Sequence, residues 1–70
     1  MKTRKTLEIS FREPFDATIF LWDGYSRGFA HTEGASRNVL LITVQRRSER
    51  AEIARVARDL YGASTRTLVR

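Results

Sequence analysis

The chain has 70 residues, no cysteine, one histidine and a formal net charge of +5. A chain of that size makes one small domain, in which burial and chain entropy nearly cancel. The missing cysteines exclude disulfides, thiolate metal ligation and Cys/His zinc sites.

The charge is unevenly spread. Residues 1–5 carry Lys2, Arg4 and Lys5; residues 6–45 carry three arginines against five acids; residues 46–70 carry seven arginines against three acids. The basic charge therefore sits at the two ends of the chain, which makes an anionic partner worth testing. The mildly acidic stretch between them argues against a sheet presented to phosphates.

Residues 1–5 read as a basic arm. Alternation follows rather than a continuous apolar segment, so no signal peptide is expected and a cytoplasmic protein is. The early apolar run is also too short to span a membrane, so no membrane partner is expected.

Residues 6–13 place Leu7, Ile9 and Phe11 on one side and Glu8, Ser10 and Arg12 on the other, the pattern of a strand with one wet face near a sheet edge. Pro14 ends it. Residues 17–22 read as a second strand, with Thr18, Phe20 and Trp22 on one face. Asp23-Gly24 is a hairpin signal, since both residues tolerate the positive φ of a type I′ turn. Residues 29–32 make a weaker returning strand, and residues 33–38 have loop composition.

Residues 39–45 form an unbroken aliphatic and β-branched run, expected as a strand in the middle of the sheet or under a helix. The period then changes. Ile53, Val56, Ala57 and Leu60 stand at i, i+3, i+4 and i+7, on one face of a helix near residues 48–61. Ser48 is the expected N-cap and Gly62 the left-handed residue past the end. Residues 65–69 supply a candidate fifth strand, either parallel to residues 39–45 across the helix or as an antiparallel edge. The expected architecture is α+β: an antiparallel sheet of three to four strands, with that fifth in reserve, packed on one face by a single helix.

Motifs for chemistry are missing. His31 has no recognisable catalytic partner, and Gly34-Ala35-Ser36-Arg37-Asn38 lacks the second glycine of a nucleophile elbow and precedes a strand instead of following one. Gly24 and Gly28 have no Lys-Ser/Thr pair after them, so they are turn glycines rather than a phosphate loop. Asp16, Asp23 and Glu33 show no metal-ligand spacing. No catalytic residue, metal or cofactor is implied, and an enzyme is not expected.

Two binding readings remain. Arg46, Arg47 and Arg50 cluster where helix stability does not call for them, because cations near a helix N-terminus oppose its dipole. With Lys2, Arg4, Lys5, Arg66 and Arg70 they form a candidate phosphate-contacting set, provided the chain ends fold to the same side. The expected function is a small non-enzymatic regulator that binds nucleic acid through these basic ends. The alternative is a protein-binding accessory factor or inhibitor, with homodimerisation as one way to gain burial, using an aromatic turn of Trp22, Tyr25, Phe20 and Arg27. Trp22 is the most suspect, standing at an element end.

Overall fold

The computed structural model describes residues 5–25, 31–34 and 36–69. The elements run β1 (Lys5–Ser10), α1 (Pro14–Trp22), β2 (His31–Glu33), β3 (Val39–Thr43), α2 (Arg47–Tyr61) and β4 (Ser64–Val69). Their strands make one open sheet in the order β2-β3-β1-β4, and every neighbouring pair is antiparallel. This is the β-α-β-β-α-β order of two interleaved split β-α-β units, called ferredoxin-like, a topology that hosts many unrelated functions.

The α+β class and the antiparallel sheet packed by the helix near residues 48–61 are both present. The segment expected as a second strand is instead helical. Pro14 stands in the first turn of α1, where its missing N–H costs nothing, and Ala17 and Phe20 are buried on one side. Gly24 does adopt a positive φ of 77°, but it closes α1 rather than a hairpin. Its N–H donates to the Leu21 carbonyl and that of Tyr25 to the Phe20 carbonyl, the pairing of a Schellman motif.

Strand β1 is interior rather than near an edge. It pairs with β3 on one side and β4 on the other. Leu7 and Ile9 on β1, with Leu40 and Ile42 on β3, point to one face and are buried there with Ala17, Phe20, Ile53, Ala54 and Ala57 of the two helices. Both helices therefore cover the same face. The other face is open and carries Thr6, Glu8 and Ser10 beside Val39, Leu41 and Thr43, which are only partly buried.

Helix α2 buries Ile53, Ala54 and Ala57, with Val56 and Tyr61 packed beside them, much as the periodicity implies, but Arg50 joins the buried face and Leu60 is left 63 % exposed. Its N-cap is Arg46, not Ser48, and no side-chain cap bond is made there. Gly62 closes it at a φ of 63°, as expected. The last strand pairs antiparallel with β1, so β3 and β4 run in the same direction with β1 between them and α2 crosses over β1. Of the weak strand expected over residues 29–32, Phe29 and Ala30 lie outside the described residues.

Candidate functional site

Strand register decides where the basic residues meet. Lys5 is the partner of Val69 on β4, Thr6 is the partner of Thr43 on β3, and the Val44 N–H donates to the Lys5 carbonyl at 3.3 Å. The chain therefore leaves β3 beside Lys5 and enters α2 through Gln45, Arg46 and Arg47, all three exposed. Lys5 is the first residue of β1 rather than part of a preceding arm. Lys2, Arg4 and Arg70 lie outside the described residues. Lys5, Arg46 and Arg47 are thus gathered at one end of the sheet.

From that end a groove of about 350 Å³ runs between α2 and β4. Its helix wall carries Arg47, Arg50, Ala51, Ala54 and Arg58, and its strand wall carries Thr65, Arg66 and Thr67, with Leu7 behind. Residues 47, 51, 54 and 58 follow steps of four and three, so they lie on one stripe of the helix. Thr65 and Thr67 are the partners of Ile9 and Leu7, so their side chains share the helix-covered side of the sheet. Four arginines, Arg47, Arg50, Arg58 and Arg66, line this groove and no acid does. Arg58 is steadied by donating to the Thr65 hydroxyl at 3.2 Å.

Two of the expected phosphate contacts are engaged elsewhere. Arg50 is only 7 % exposed, and its Nη1 donates to the carbonyls of Val44 at 3.0 Å and Gln45 at 2.7 Å. It ties the start of α2 to the end of β3, which is the reason the dipole argument could not supply for it. Arg66 is the partner of Glu8, and its guanidinium pairs with that carboxylate at 2.9 Å. Glu8 lies on the opposite side of β1 from Leu7, so although Arg66 borders the groove its guanidinium turns to the open face to meet Glu8.

The aromatic residues divide differently. Phe20 is fully buried, packed with Phe11, Tyr25 and Tyr61 at ring-centroid distances of 5.3 to 5.7 Å, and cannot contact a partner. Tyr25 is half-buried in the same cluster. Trp22 is 84 % exposed, and Phe15, seven residues earlier on the same side of α1, is 67 % exposed. These two belong to a helix, so the open sheet face, by strand alternation, carries no aromatic among the described residues. Arg27 lies outside them.

At the edge of the aromatic cluster the Tyr61 hydroxyl donates to Asp23 Oδ2 at 3.3 Å. Its pKa is raised above the ordinary 10.0, first by burial and then by the Asp23 charge and hydrogen bond. The Ser36 hydroxyl donates to Asn38 Oδ1, and Asn38 Nδ2 donates to the Phe11 carbonyl at 2.7 Å, so this loop clasps the exit of β1.

Arg58, Thr65, Thr67 and Phe15 were not singled out from sequence. The 47-51-54-58 spacing was readable once the helix was placed, but the strand facing it was not. Among the described residues no group of three His, Cys, Asp or Glu side chains could hold a metal ion, and no helix is long and apolar enough to cross a membrane. No family model, curated protein or solved structure matches the chain.

Proposed function

We propose that the protein is a small non-enzymatic regulator that binds nucleic acid, engaging phosphates at the sheet end where Lys5, Arg46 and Arg47 meet. The observation that carries this reading is the register that sets Lys5 beside the β3 exit, so that basic residues distant in sequence act on one anionic surface. Exposed cations on a rigid scaffold position a phosphate backbone without reading its sequence. The test is fluorescence anisotropy with labelled oligonucleotides at several salt concentrations, for the wild type and for Arg46→Gln/Arg47→Gln. Binding that weakens with salt and in the double variant supports the reading, and no binding even at low salt ends it.

A second reading rests on Trp22 and Phe15. Two large aromatic side chains exposed on one side of a short helix offer an anchor for a protein partner. This reading needs no basic residue, so its binding would be insensitive to the Arg46 and Arg47 substitutions.

A further inference from the structure

We infer that the groove between α2 and β4 holds an extended single strand of nucleic acid, and that the protein prefers single strands to duplex. The inference rests on the nucleic-acid reading and goes beyond it in naming the form of the ligand. The cations are spaced as a track rather than as a socket. Arg47 and Arg58 are eleven residues apart on one helix stripe, which at helical rise is about 16 Å, so they attend different phosphates. Between them Ala51 and Ala54 keep the helix wall low, and Thr65 and Thr67 offer hydroxyls from the facing strand. Arg50 underlies the Arg47 end, held in place by the Val44 and Gln45 carbonyls.

Shape decides between the two forms. A duplex accepts a protein element into its own groove, with its phosphates fixed on a wide cylinder. Here the concavity belongs to the protein and is bounded by a helix and a strand, so of the two nucleic-acid forms it suits a single flexible backbone. No aromatic side chain lines the groove, so bases are not stacked within it and little sequence preference is expected.

Ala51→Glu tests the inference, because Ala51 is exposed in the groove wall and glutamate is a good helix former. Arg37→Gln is its control: it lowers the net charge equally, from an exposed turn at the opposite end of the sheet. Anisotropy is read with a short labelled oligothymidylate and with a blunt duplex of equal length. The wild type should bind the single strand more tightly than the duplex, and Ala51→Glu should weaken single-strand binding about tenfold while Arg37→Gln changes it less than about threefold. Arg58→Gln attacks the other end of the track and should also weaken single-strand binding, which keeps the test decisive if Ala51→Glu misfolds. Equal losses in Ala51→Glu and Arg37→Gln, or duplex bound as tightly as single strand, overturn the groove and leave the nucleic-acid reading standing. A wild type that binds neither form overturns both.

Discussion

Arg50 and Tyr61 show how polar groups are accommodated in so small a core. Arg50 is buried where it donates to the carbonyls of Val44 and Gln45, just past β3, as the chain turns into α2. Truncating it strips both acceptors at once, and losing charge-assisted bonds at a buried site is costly. Arg50→Ala is expected to lower stability by about 2 to 3 kcal/mol, read from urea denaturation midpoints. A change below about 0.5 kcal/mol would show the carbonyls re-solvated at no cost. Tyr61 presents the opposite problem, a hydroxyl that must keep its proton. Its folded pKa is raised, so the folded state binds the proton more tightly than the unfolded chain does. The stability this gives is fully present below pH about 10 and is lost as pH rises through the raised value. Asp23→Ala removes both the charge and the acceptor and should bring the Tyr61 ionisation midpoint down in an absorbance titration. An unmoved midpoint would show that Asp23 does not contribute and leave burial as the main cause.

At the scale of elements, α1 is the part the sequence concealed. A six-residue apolar run satisfies a strand's period as readily as a helix's, and a helix apolar on both sides has weak periodicity. Pro14 stood at the right place to open a helix, yet it is equally at home after a strand. The long amphipathic α2 was legible from its helical period, β1 from its alternation and β3 from its unbroken β-branched run. The face of α2 was legible only in part. No hydropathy pattern predicts that an arginine turns inward to meet carbonyls while Leu60 turns out. The outward side of α1 has a direct consequence for stability. Trp22 contributes little to the core, so Trp22→Ser should change the unfolding free energy by less than about 0.5 kcal/mol. If the second reading holds, the same change should abolish capture of a protein partner while leaving nucleic-acid affinity intact. A large loss of stability would mean that Trp22 is covered in solution.

At the scale of the whole molecule, the β1–β4 pairing sets Lys5 beside Val69; the sequence offered residues 65–69 as an antiparallel edge but did not name β1 as the partner. Charge counting located the basic residues but could not say which ones share a surface. Arg66 was drawn off to Glu8 and Arg50 to the backbone, while Arg58, which the sequence did not single out, joined the groove. The sites that sequence named are thus partly retained and partly reassigned by topology. What remains at the sheet end and along the groove is Lys5, Arg46, Arg47 and Arg58, a set small enough to count. Each cation that neutralises a phosphate of a single strand releases a fraction of a counterion, so three or four of them give a log–log slope of affinity against salt of about −2 to −3. Measuring that slope for the wild type and for Arg46→Gln/Arg47→Gln tests the central claim most directly. The account predicts a slope in that range, made shallower by about 1 to 1.5 in the double variant. A flat slope, or the same slope in both proteins, would contradict it.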